Sequence, residues 1–244
     1  MSASVTLATN RRILTQLRHD PRTVVLLLVV PTLLMVLLRF VFNSPEQFGG
    51  IAPALLGIFP FTLMFLITSV TTLRERTSGT LERLMTMPIA KLDLLLGYAL
   101  AFGLLAVVQV ALAALVSVTW LGLDVASSVW LLLLVAVLDA LLGMALGLFV
   151  SAFARTEFQA VQFMPVVVLP QFLLCGLLQP RDEMGLLLSW ISDVLPLSYA
   201  VDALDRVTHS AEFDGTLVRD LAVVAGSALL ALVLGAATLR RRTP

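Results

Sequence analysis

The sequence predicts an all-α integral membrane protein with six transmembrane helices, and three observations predict it. Hydrophobic residues make up 59% of the 244 positions, charged residues only 13%, and the mean hydropathy is +1.00. A soluble domain carries about a quarter charged residues, so too few polar groups are present to cover a water-facing globule. The apolar residues also fall in long, continuous, Leu-rich runs, without the alternation of a membrane-barrel strand. Finally, 12 of the 16 basic residues collect on one side of those runs.

A spanning helix needs about 20 mainly apolar residues at about 1.5 Å each. Six stretches qualify: 23–42, 51–73, 92–120, 130–152, 158–178 and 217–239. The third is long enough to tilt or to begin in the interface. A cytoplasmic N-terminus places 12 basic residues inside and leaves four, Arg39, Arg181, Arg206 and Arg219, outside or at the outer edge. The short-loop bias therefore predicts a multi-pass protein of the cytoplasmic (inner) membrane with both termini cytoplasmic. The first apolar run follows 20 polar-rich residues and reads as its own uncleaved targeting signal. The chain reads as a single domain over 1–244, with no linker.

Two flanking segments lack the length to span. In 5–19, Ile13, Leu14 and Leu17 share helical spacing beside Arg11, Arg12 and Arg18. An amphipathic interfacial helix fits this pattern better than a basic tail, and Asp20-Pro21 turns the chain into the membrane. The outer loop 179–216 is acidic and carries the short apolar stretch 186–191. Short re-entrant helices at the outer leaflet are expected there, with Trp190 and Tyr199 suited to that depth and Pro180 and Pro196 as punctuation.

The connection after the second span is the most informative. It is charged, and a helix over about 76–88 is expected, with Ser78 as a candidate N-cap, Leu81, Leu84 and Met85 as an apolar stripe, and Pro88 as the stop. Such a helix either fits a groove of a cytoplasmic partner or is a solvated connector.

Polar residues inside the spans form a second group. Asp139 lies mid-span, where a charge costs about 2.5–3.5 kcal/mol on insertion scales. It marks a translocation path or dimer interface, or else bonds to a neighbouring helix. Gln109, Gln162 and Gln171 read as buried amides lining a path or joining helices. Arg39 can snorkel, with Glu46 or an acid of the fifth connection as its partner. Gly143-x-x-x-Gly147 permits close helix contact, and Pro165 and Pro170 are expected to kink or break the fifth span. His19 and His209 fall on opposite sides, and no His, Cys and acid cluster has metal spacing. Cys175 is the one cysteine, so no intramolecular disulfide framework is possible.

The run from Arg74 to Pro88 resembles the signature of type-2 ABC exporter permeases, through Glu75, Gly79-Thr80-Leu81-Glu82, Leu84 and Pro88. Arg18-His19-Asp20-Pro21-Arg22 and the stretch from Leu195 to Leu204 are similar to the same family, and the nearest subgroup is the daunorubicin-resistance-type drug exporters. The resemblance implies a permease whose segment at Arg74, Glu75, Gly79, Thr80, Leu81, Glu82, Leu84 and Pro88 couples to a separate cytoplasmic ABC ATPase subunit. It implies a second permease chain, identical or not, and motion of the first, second and fifth spans. No Gly-x-x-x-x-Gly-Lys-Ser/Thr phosphate loop occurs in the sequence. ATP and Mg would then be bound by the partner subunit, with no cofactor, metal or catalytic residue in this chain. The apolar spans favour a hydrophobic small-molecule or lipid cargo among membrane lipid. The zero net charge suggests no nucleic-acid partner. The alternatives are a polysaccharide or glycolipid exporter and a proton-coupled secondary carrier using Asp139.

Overall fold

The computed structural model describes residues 3–42, 44–79 and 91–238. Among these the chain is helical and contains no strand. α1 spans Ala3–Arg18, α2 Pro21–Phe42, α3 Pro45–Thr77, α4 Lys91–Thr119, α5 Val129–Val150 and α6 Glu157–Leu174. A single 3₁₀ turn at Arg181–Glu183 leads to α7, Leu186–Val194, α8, Pro196–His209, and α9, Gly215–Thr238. Six of these, α2 to α6 and α9, are long and apolar enough to cross a membrane. α7 and α8 reach that standard only together, and they are bent by 88° into an elbow.

Side-chain caps set the starts. The Asp20 carboxylate accepts the Thr23 amide at 3.3 Å and hydroxyl at 2.7 Å, and Pro21 follows at the first helical position. Ser44 accepts the Gln47 amide, ahead of Pro45. Thr156 accepts the Gln159 amide while the Gln159 side chain reaches back to the Arg155 amide at 2.8 Å.

The structure corrects the expected ends in three places. α3 begins at Pro45, six residues before the expected 51. α3 runs on to Thr77, so positions 76 and 77 close the long second span rather than opening a new helix. Ser78 is its C-cap, donating its amide to the Arg74 carbonyl, not an N-cap. Gly79 follows at φ +73°, the left-handed position that stops a helix and that glycine takes without Cβ strain. α6 ends at Leu174, four residues short of the predicted 178, and Gly176 at φ +98° turns the chain away. It passes through Pro165 and Pro170 as one unbroken helix. The rest of the expected 76–88 helix, from Thr80 onward, lies outside the described residues.

α3 and α5 form the inner pair. A Cβ on Gly143 would sit 2.3 Å from the Phe61 carbonyl oxygen, and one on Gly147 2.4 Å from that of Phe65, so the two backbones touch. Thr68 of α3 also donates to the Met144 carbonyl at 3.2 Å. The small face of α9, with Ala231 and Gly235 buried, packs on the other side of α5. Of the most apolar stretch of each helix, 61% is buried in α3 and in α5, but only 17% in α2 and in α6.

α1 lies against α4. A Cβ at Gly97 would collide with Thr9, at 2.5 Å, so only glycine lets the two helices meet there. Ile13 and Leu17, from the apolar stripe of this helix, are buried against the bundle.

Candidate functional site

The close of α3 meets α1 and the start of α6, and the end of α6 meets the elbow, so the bundle has an α1 end and an elbow end. At the α1 end, Arg74 donates Nε and Nη2 to the Glu157 carboxylate at 2.9 and 3.1 Å, tying the close of α3 to the start of α6. Both side chains are half exposed. Glu75, one position on, points the other way. It is buried and accepts Arg12 Nη2 of α1 at 3.0 Å. The same nitrogen donates to the Tyr98 hydroxyl of α4 at 3.0 Å, and the guanidinium lies 5.9 Å from the Tyr98 ring centre. Thr80, Leu81, Glu82, Leu84 and Pro88 lie outside the described residues. Asp20 stands at this end with its carboxyl held below the usual range by the Thr23 hydroxyl. An apolar cleft of about 620 Å³ runs beside it between α1, α2, α3 and α6, with Asp20, Arg74 and Glu75 at its polar edge.

The residues expected at a translocation path or dimer interface lie on four different helices. Asp139 is fully buried, with no partner for either carboxylate oxygen among the described residues. It faces Gly57 of α3, where a Cβ would lie 3.1 Å from Oδ2 and 2.9 Å from Leu204 of α8. Gln109 is fully buried in α4, also without a partner for its amide. Gln162 is exposed rather than buried among the described residues. Arg39 pairs with neither Glu46 nor an acid of the fifth connection; its Nε donates to the Leu121 carbonyl at 3.1 Å. Gly122 follows at φ +76°, and the turn is held to α8 by the Ala126 and Ser127 amides, which donate to the Thr208 and Val207 carbonyls.

Gln171 proves to be a cap. Its Oε1 accepts the Leu197 amide at 3.4 Å, and its Nε2 donates to Val167. α8 begins at Pro196, which has no N–H, and its preceding residue Leu195 has no capping side chain. α6 therefore supplies the missing acceptor. Ser192 and Ser198 both donate to the Leu174 carbonyl, at 2.7 and 3.4 Å, so the end of α6 is held in the vertex of the elbow.

The sequence reading missed the role of Arg181. It donates to Asp193 of α7 and to Asp202 of α8, gripping both arms of the elbow, with Tyr199 5.0 Å below its guanidinium. Arg219 lies 5.8 Å from the same ring and bonds Asp220 of α9. Arg206 reaches Asp214, whose carboxyl is held low by the Leu217 amide. Arg181, Asp193, Tyr199, Asp202, Arg206 and Arg219 line a polar cavity of about 820 Å³. The density of acids around Arg181 was the only sequence signal for this network.

The sequence profile of ABC-2 type transporters matches residues 4–207, from the first turn of α1 almost to the end of α8. The chain belongs to the ABC-2 type transporter family. It is 26% identical over 193 residues to the probable multidrug ABC transporter permease YbhS of Escherichia coli, covering 79% of this chain and 51% of that protein. ABC transporter G family member 20 of Dictyostelium discoideum is 28% identical over 166 residues, 67% of this chain and 23% of its own length. The inner membrane transport permease YhhJ of E. coli is 26% identical over 167 residues, 68% and 44%. The chain thus spans about half or less of the length of these relatives. The matched part of this ABC-2 type transporter chain contains the Arg12, Glu75 and Tyr98 cluster and the elbow, but not α9.

Proposed function

We propose that the chain is the membrane-spanning permease subunit of an ATP-driven exporter in the cytoplasmic membrane, with both termini and the α1 end inside. The observation that carries this reading is the family match across α1 to α8, which contains the whole 74–88 segment. That segment, with Gly79, Thr80, Leu81, Glu82, Leu84 and Pro88 at its centre, docks a separate ATPase subunit that holds ATP and Mg. α1 lies at inner-leaflet depth, and the elbow, with Trp190 and Leu187 exposed, dips into the outer leaflet. A second permease chain covers the open faces of α2 and α6, where Gln162 is exposed. The cargo is a hydrophobic or amphiphilic small molecule or lipid, and the relatives named multidrug permeases favour a drug exporter of the daunorubicin-resistance type.

Co-purification tests the docking. Wild-type chain should retain the ATPase subunit, and Gly79→Pro and Glu82→Arg should lose it; retention unchanged in both removes the docking assignment. One observation keeps a second reading in play, the unbonded buried carboxyl of Asp139, which suits a proton-coupled carrier. Transport that survives a hydrolysis-dead ATPase subunit but collapses with the proton gradient would select the carrier.

A further inference from the structure

Glu75 stands within the segment that resembles a docking signature, yet its side chain is buried and turned inward. Arg12 of α1 holds it at 3.0 Å and holds the Tyr98 hydroxyl of α4 at 3.0 Å with the same nitrogen. Glu75 lies four positions before Gly79, and Tyr98 lies seven positions after Lys91. One guanidinium therefore grips both helices that bracket the 80–90 connection. Gly97, with Thr9 in contact, and the buried Ile13 set α1 close against α4, which brings the guanidinium within reach of both acceptors. Arg12 itself is only about a quarter exposed and Glu75 about a tenth, so water competes little for the pair.

We infer that Arg12, Glu75 and Tyr98 form a clamp that makes α1 move as one body with the stalks of the 80–90 connection. Arg12 and Glu75 are positioning residues: they carry a displacement of that connection into α1, and through the Asp20-Pro21 turn into α2. The idea rests on the reading of 74–88 as the docking segment for its purpose, but the clamp itself does not depend on a partner. Charge is essential to it, since Arg12 offers one donor nitrogen to two acceptors, and a neutral amide at 75 would weaken the stronger of the two bonds. Tyr98 adds the ring face that a cation favours.

Spin labels at Leu7 and Leu115, both exposed, on the full-length chain in nanodiscs with Cys175→Ser, read the position of α1 against α4. The wild-type background should give one narrow distance distribution. Arg12→Ala and Glu75→Gln should each replace it with a broad one, while Glu75→Asp, which keeps the charge, should stay narrow. A narrow distribution in Arg12→Ala, or Glu75→Asp as broad as Glu75→Gln, overturns the clamp. Should Glu75→Gln not fold, Arg12→Ala decides alone, because that side chain is the more exposed of the pair. Retention of the ATPase subunit separates the two ideas. Glu75→Gln that retains it while Gly79→Pro does not supports a clamp distinct from the docking face. Glu75→Gln that loses it with a narrow distribution makes Glu75 a docking residue and ends the proposal. Wild-type chain that retains no ATPase subunit removes the docking reading and leaves the distances to judge the clamp.

Discussion

α5 and α6 follow one another in the chain, and both are long and apolar enough to span, but they are held in opposite ways. α5 is joined to α3 along its length: glycines at 143 and 147 bring backbone onto backbone, and Thr68 adds a hydrogen bond across the seam. α6 is joined at its tips. Glu157 binds Arg74 at one end, and Gln171 and the Leu174 carbonyl bind the elbow at the other, while most of its middle is open. The more hydrophobic of the two is the buried one, with a hydropathy of 2.5 against 1.3. In lipid, burial is decided by close fit and hydrogen bonding rather than by escape from water. Small residues made α5 a wall, and the lack of them left α6 a strut.

Four changes probe that contrast. The largest effect is expected at the seam. Gly143→Val places methyl groups where a backbone oxygen already lies, and the overpacking should cost about 3 kcal/mol, read as a lowered midpoint of thermal unfolding in detergent. A Val at Gly226, which has open space around it, is the control and should leave the midpoint nearly unchanged. At the upper tip of α6, Gln171→Leu removes the acceptor for the Leu197 amide and should cost about 1 kcal/mol, in the range of a lost helix cap. Hydrogen exchange should rise at 197–199 and not along α5. At the other tip the Arg74 and Glu157 pair is more than half exposed on the arginine side. A double-mutant cycle should return well under about 1 kcal/mol, shrinking further in high salt. The smallest effect concerns two helix starts. Asp20 and Asp214 both have carboxyls held below the usual range by hydrogen bonds from the helices they cap, chiefly Thr23 and Leu217. Their contribution is complete above the ordinary carboxylate pKa and is lost as pH falls through the lowered value. Acidification should therefore speed exchange, after correction for intrinsic rates, in the first turns of α2 and α9 before the α3 and α5 seam responds.

Much of the bundle could be read directly from hydropathy, which located six spans to within a few residues at most ends. It failed at the close of α3, because Arg74 to Thr77 are too polar to count as a span yet continue the helix. It failed at the close of α6, where the decisive feature is the backbone conformation of Gly176. The close contact was legible too: Gly143-x-x-x-Gly147 marked the right helix face, though not its partner. The site residues were harder. Asp139 and Gln109 are buried as their position implied. Glu75 was singled out for a partner outside the chain, and the bond it makes within the chain, to Arg12 63 residues earlier, was not foreseen. Nothing local to Glu75 reveals that Arg12 will be carried there by α1. Gln171 read as an amide either lining a path or joining helices, and its partner could not be named, because the bare start of α8, 25 positions later, matters only once the elbow has folded beside it.

The 33 residues of α3 reach about 50 Å at about 1.5 Å each. A bilayer's hydrocarbon core is about 30 Å thick. The excess cannot be taken up by bending the helix inside its seam with α5, since the two backbones leave no slack. It must be absorbed by inclination of the pair as a unit and by extension into the aqueous layer. Bilayer thickness thus becomes a mechanical input: thicker lipid sets the pair more upright, thinner lipid lays it over, and the height of the Ser78-Gly79 corner above the membrane changes with it.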